Sequence, residues 1–289
     1  MRTMEKSMRL GSELIESVWE RMRPKEFATL REGKKENIVV IDGSYDSLEE
    51  ILSSAKIPHI KIDAFPDKKE LIQGGKYQNT NVIFVNCDNA YHDNLDEKNL
   101  TRENKHALIE YVERGGRLVT TDWAASVVKY LFGKISIKRN VTGDEVVKVN
   151  FANEIARELS GIIYGNATPN WWLEGSSDMV SYRADSGIIN LVESEQMKKK
   201  YGSKNISLGF KYGGGEVFHF VSHLKAQRIE NYDARDRQSL GTFLDDVYVP
   251  IKGAKKSKIT FGEIETTYTL MNTVLELCRN ANILGGKGK

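Results

Sequence analysis

Four short strand-like runs alternating with helical patterns constrain this chain more than any other feature. They are Asn37–Asp42 (NIVVID), His59–Asp63 (HIKID), Asn81–Cys87 (NVIFVNC) and Arg117–Asp122 (RLVTTD). A continuous apolar run of this length, bounded by turn residues, reads as a strand buried on both faces, and such strands belong to parallel sheets. Between them lie SLEEILSSA, with Ser44 or Asp46 placed to cap it, and a capped helix over 101–114 that ends in Gly115-Gly116. Strands that alternate with helices imply a flavodoxin-like α/β architecture: an open, mostly parallel sheet with helices on both faces.

The flanking segments add to this core. Residues 8–22 place Met8, Leu10, Leu14, Ile15, Val18, Trp19 and Met22 near helical spacing. That N-terminal amphipathic helix packs either on its own domain, the commoner outcome, or on another subunit. A basic linker, Arg31–Lys35, separates it from the first strand. In the middle of the chain, Lys134–Ile137 and Glu145–Asn150 read as strands, paired antiparallel, and Phe151–Leu159 as a helix. Ile162–Ser181, with its NATPNWWLEGSSDM string, reads as a loop, and Ile188–Val192 as a strand. NISLGFKY and EVFHFVSH, joined by Gly213-Gly214-Gly215, predict an antiparallel hairpin extension. A long helix over Phe261–Arg279 closes the fold. The expected organisation is a helix and linker over 1–35 and one α/β domain over 36–284, with a charged excursion at 225–258. A disordered tail over 285–289 follows.

Charge and cysteine usage narrow the function classes. Forty-two basic residues against 40 acidic ones leave a net charge of +2, so nothing drives the whole chain toward nucleic acid or a membrane surface. Two cysteines, Cys87 and Cys278, do not make a disulfide framework and fit a reducing compartment. No stretch has signal-peptide character, and none approaches the roughly 20 apolar residues that span a bilayer. A cytoplasmic protein is expected.

In open parallel sheets ligands bind beyond the carboxyl ends of the strands. Asp42, Asp63, Asp88 and Asp122 all stand at such ends, with His92 and Asp93 in the loop after Asp88. Carboxylates and imidazole gathered there could hold magnesium, calcium or manganese; singly, each Asp could equally cap the helix that follows it. Cys87 is either a nucleophile with His92 or His223 as its base, or a buried core residue, which its place after VIFVN favours. Cys278 and His219 read as structural. No Gly-rich string has the spacing of a P-loop or a dinucleotide site, so no cofactor is predicted beyond the open question of a divalent metal.

Two segments carry a family resemblance. ALIEYVERGGRLVTTDWAA is similar to the helix, paired glycines, strand and nucleophile elbow of the class I glutamine amidotransferase-like superfamily, and FKYGGGEVFHFVSHLKAQ to the strand that delivers its catalytic histidine. The pattern resembles the superfamily's ThuA-like branch most. The resemblance implies the fold, but it departs at the reagents. Where the family has Gly-x-Cys-x-Gly, this chain has Thr121-Asp122-Trp123-Ala124-Ala125, with Trp123 at the cysteine's place. Where the family has His-Pro-Glu, it has His223-Leu224-Lys225, without the orienting acid. A thiol mechanism is therefore not expected.

Two functions remain. One is a non-catalytic binding or assembly module that takes a protein partner, a second copy of itself or a small polar ligand. Trp123, Trp171 and Trp172 would then line a cleft or an interface, or simply plug the core. The other is a hydrolase-type enzyme acting on a small polar substrate such as a carbohydrate or an amide. It would use Asp122 and His223 as an acid–base pair, with Asp42, Asp88 or His92 helping to place a cation.

Overall fold

A computed structural model describes residues 2–92, 95, 99–161, 169–224, 234, 237–239, 260–280 and 282–285. The predicted strands form as read: β1 (Ile38–Ile41), β2 (Ile60–Ile62), β3 (Val82–Val85) and β4 (Arg117–Thr121). All residues of β1, β3 and β4 are buried, as their lack of alternation requires. The hairpin forms as β11 (Asn205–Tyr212) and β12 (Gly215–Phe220). With β7 (Asn150–Phe151) and β10 (Ile189–Glu193) these make one eight-stranded sheet, in the order β2-β1-β3-β4-β12-β11-β10-β7. The first five strands in that order are parallel; β11, β10 and β7 continue it antiparallel. The fold is flavodoxin-like α/β.

Nine helices are present among the described residues: α1 (Arg2–Met22), α2 (Pro24–Glu32), α3 (Leu48–Ser54), α4 (Lys68–Leu71), α5 (Arg102–Glu113), α6 (Ala125–Phe132), α7 (Glu154–Ser160), α8 (Glu195–Tyr201) and α9 (Phe261–Cys278). Thr101 opens α5 with a reciprocal capping box to Asn104. The N-terminal helix packs on its own domain: Leu14, Ile15 and Trp19 are buried against α9, and the Trp19 indole donates to Asn272 Oδ1 at 2.8 Å. The segment read as a basic linker is instead helical as far as Glu32. Pro24, helix-compatible in its first turn, starts α2 at once. In α9 every residue except Glu263 is buried, where the spacing predicts one inner face; it is a central helix rather than a surface one.

The two glycine strings of the sequence meet in space. The hairpin tip rests on the turn after α5: Gly214 N–H donates to Glu113 O at 2.8 Å, and a Cβ on Gly215 would fall 2.2 Å from the carbonyl oxygens of Val112 and Gly116. Gly213 and Gly115 have φ of +58° and +112°, which a side chain would strain. This contact seats β12 beside β4. A buried ion pair pins the same end: Arg117 on β4 meets Glu216 on β12 at 2.7 Å and donates to the carbonyls of Leu277 and Arg279 at the end of α9.

The middle of the chain departs from the reading. β5 (Ile135–Lys138) and β6 (Glu145–Lys148) do not pair with one another. β5 pairs with β9 (Met179–Tyr182) and β6 with β8 (Asn170–Leu173), both antiparallel. Two strands therefore stand inside the segment read as a loop, because NWWL and MVSY find partners far away in sequence that no local pattern announces. The helix predicted over Phe151–Leu159 begins at Glu154, capped by Asn153. The excursion at 225–258 lies almost wholly outside the described residues, as does the tail after Gly285.

Candidate functional site

Because β3, β4 and β12 are adjacent and parallel, their carboxyl ends open at one place. Cys87 follows β3, Asp122 follows β4 and His223 follows β12. Their side chains converge: His223 Nε2 lies 3.4 Å from Asp122 Oδ2, Cys87 Sγ lies 3.7 Å from the same oxygen, and a donor atom of each stands within 4.8 Å of the others. All three are buried, with 1–3% of their surface exposed.

Asp122 is the residue of the sharp turn. Its φ is +40°, and the chain passes from β4 through a single 3-10 turn, Asp122–Ala124, into α6. The sequence comparison sets Trp123 at the elbow; the backbone sets Asp122 there, one residue earlier. Asp tolerates this left-handed region better than most residues, and the buried, small Ala124 and Ala125 leave room for the reversal. Both carboxylate oxygens are engaged: Asp178 N–H donates to Oδ1 at 2.9 Å, and the Ser177 hydroxyl to Oδ2 at 3.1 Å.

The orienting acid missing from the His223-Leu224-Lys225 string is supplied from elsewhere. Glu174 Oε1 lies 3.1 Å from His223 Nδ1. Glu174, Ser177 and Asp178 all belong to the turn between β8 and β9, which delivers the partners of Asp122 and His223 together. No spacing in the sequence marks this turn as part of the site. Asp178 is itself held by Arg139 at 2.6 Å, and burial raises its pKa despite that partner.

Burial pushes the Cys87 thiol up to about 12, against the lowering pull of His223. The site's histidine shifts the other way. Burial alone would lower His223, but hydrogen bonds with Asp122, Cys87 and Glu174 hold it well above the usual imidazole value. His219, by contrast, sits in the sheet with its Nδ1 2.9 Å from Thr120 Oγ1, and burial lowers it to about 3, as a structural histidine.

The remaining predicted site residues divide. Trp171 is fully buried on β8 and packs in the core. Trp172, on the opposite face of β8, is half-buried and donates its indole N–H to Asp144. Trp123 packs against His92 and Tyr45, with ring centroids 4.1 and 5.1 Å away, and donates to Ser176 O at 2.9 Å. It braces the turn beside the site. His92 also meets Asn140 Oδ1.

The four edge aspartates do not gather as one cation site. Asp42, Asp63 and Asp88 line a cleft of about 480 Å³ with Ser44, Tyr91 and Asn99, whereas Asp122 does not line it. Asp42 pairs with Lys61 at 2.8 Å, and Asp88 caps the short turn at Ala90 while accepting from the Ser44 N–H and hydroxyl. The cleft stands where the chain, having gone from β1 out to β2, returns to the other side of β1 as β3: the topological switch point at which open α/β sheets bind ligands.

No protein-family model matches the sequence, and none of the curated proteins matches it. Solved structures do. A glutamine amido transferase from Methylobacillus flagellatus superposes with a TM-score of 0.52 over 85% of this chain and 94% of that one, at 10% identity. The chain has the glutamine amidotransferase fold. Also similar are a glutamine amidotransferase from Thermotoga maritima (TM-score 0.48, 12% identity, 83% of this chain and 96% of that one) and a ThuA-like protein from Bacteroides uniformis (TM-score 0.45, 12% identity, 65% and 82%). Identity this low speaks for the amidotransferase fold alone, and function has to be argued from the site.

Proposed function

We propose that this chain is a non-catalytic binding module on the amidotransferase fold, taking a small polar ligand in the cleft at the β1/β3 switch point. The observation that carries this reading is the state of Asp122. The turn position that presents a reagent in an elbow of this kind is filled by a carboxylate whose two oxygens are both engaged by the protein and which is 3% exposed. The open feature of the carboxyl edge is instead the cleft of Asp42, Asp63 and Asp88, rich in acceptors and suited to a ligand rich in hydroxyl or ammonium donors. Packing of α1 on its own domain takes its apolar face out of the surfaces that a protein partner or a second copy could use. Two free, buried cysteines accord with a reducing, cytoplasmic setting.

The 3.4 Å contact between Asp122 and His223 favours a second reading, hydrolysis of a small polar substrate by that pair. One set of measurements separates the two. The purified chain is incubated with glutamine and with a panel of amides and glycosides, and its melting temperature is followed with sugars, polyols and amines. The module reading expects no turnover, and a ligand-induced rise in Tm that Asp63→Asn removes. Turnover that disappears in both Asp122→Asn and His223→Gln would establish the hydrolase instead.

A further inference from the structure

We propose that Cys87, Asp122 and His223 form a zinc site. A tetrahedral zinc ion binds thiolate sulfur at about 2.3 Å, imidazole nitrogen at about 2.0–2.1 Å and carboxylate oxygen at about 2.0–2.2 Å, so its ligand atoms stand roughly 3.3–3.6 Å apart. Asp122 Oδ2 lies 3.4 Å from His223 Nε2 and 3.7 Å from Cys87 Sγ, and the three atoms face one another from three adjacent strand ends. The donor atoms all lie within 4.8 Å of one another, so they close in on an ion held at their centre.

A second, independent set of contacts has the form that supports a metal ligand. A ligating histidine characteristically turns its other ring nitrogen to a carboxylate, and His223 Nδ1 has Glu174 at 3.1 Å. The oxygen of Asp122 that would not bind the ion is fixed by the Asp178 N–H at 2.9 Å, and the Trp123 backbone N–H faces the Cys87 sulfur. Each ligand is thus oriented by a group outside the triangle. The donor set also selects the ion. Sulfur and imidazole nitrogen disfavour magnesium and calcium, which take oxygen, and favour zinc. The thiolate and the carboxylate neutralise its two charges and the imidazole binds in its neutral form, so binding releases both the thiol proton and the second imidazole proton to solvent. The three residues supply three of the four tetrahedral positions. The ion would fasten β3, β4 and β12 at their carboxyl ends.

Cobalt is the probe, because a thiolate on tetrahedral Co(II) gives a near-ultraviolet charge-transfer band together with visible d–d bands. The full chain, reduced and freed of metal, is titrated with Co(II) and then with Zn(II). The expected result is one equivalent of cobalt bound with both sets of bands, bleached by one equivalent of zinc. Cys278→Ser should leave the spectrum unchanged, and Cys87→Ser should remove the charge-transfer band. Glu174→Gln should keep the band while weakening affinity about 10–100-fold, as loss of a supporting contact does. The proposal is overturned if the unsubstituted chain shows no charge-transfer band, if the band survives Cys87→Ser in protein whose circular dichroism is unchanged, or if Cys278→Ser removes it.

Discussion

Glu174 Oε1 lies 3.1 Å from His223 Nδ1, a contact made across the gap between a turn of the small β6–β8 and β5–β9 pairs and the end of β12. It fixes the imidazole so that Nε2 faces Asp122. Removing it leaves a buried ring nitrogen without that partner. Glu174→Ala should cost about 1–3 kcal/mol in urea unfolding, with Glu174→Gln closer to the unsubstituted chain. Equal stability for all three proteins would mean that the contact does not hold the ring.

Asp122 pays a conformational cost at φ +40° that its hydrogen bonds offset. Asn adopts the left-handed region readily and keeps an acceptor, so Asp122→Asn should be the mildest substitution at the turn. A β-branched residue adds strain of about 1–3 kcal/mol to the loss of both acceptors. The order of melting temperatures should therefore be Asp, then Asn, then Ala, then Val, and a reversal of Asn and Val would show that the turn is unstrained.

The Arg117–Glu216 pair is buried at the opposite end of the sheet and is tied to the last carbonyls of α9. Breaking such a pair from one side strands a charge. Glu216→Ala should destabilise by about 3–5 kcal/mol, and Arg117→Met combined with Glu216→Leu should recover much of that loss. A double-mutant cycle in guanidinium measures the difference.

His219 makes the acid limb of the stability curve steeper. Its folded-state pKa of about 3 lies below the ordinary 6.5, so between those values the unfolded chain binds a proton that the folded chain refuses. Stability is full above about pH 6.5 and falls on acidification, by about 1 kcal/mol per pH unit from this group, until the pH reaches the folded value. His219→Gln lacks this titration. Its unfolding free energy, measured from pH 7 to pH 4, should fall less steeply than that of the unsubstituted chain.

Local signals carried the open-sheet reading a long way. Unbroken apolar runs marked β1, β3 and β4, glycine spacing marked the β11–β12 hairpin, and Thr101 with Asn104 marked the start of α5. Where the chain pairs with distant partners, those signals were silent. β8 and β9 were hidden in a segment dense with turn formers because their stabilising neighbours, β6 and β5, lie elsewhere in the sequence.

The candidate site shows the same division. Asp122 and His223 were visible in the sequence because each ends an apolar strand, a consequence of side-chain period and burial that needs only local residues. Their union with Cys87 was legible only as one alternative, Cys87 with His223 as its base, because it depends on β3, β4 and β12 being neighbours, and strand order follows from how the hairpin tip docks on Gly115-Gly116. Glu174 was less legible still: it enters from a turn with no motif, and only packing brings it to the histidine. The sequence by itself determined the strand ends and the residue types placed on them. The tertiary structure decided which of them meet, because contact across a sheet is set by pairing between distant segments and not by local spacing.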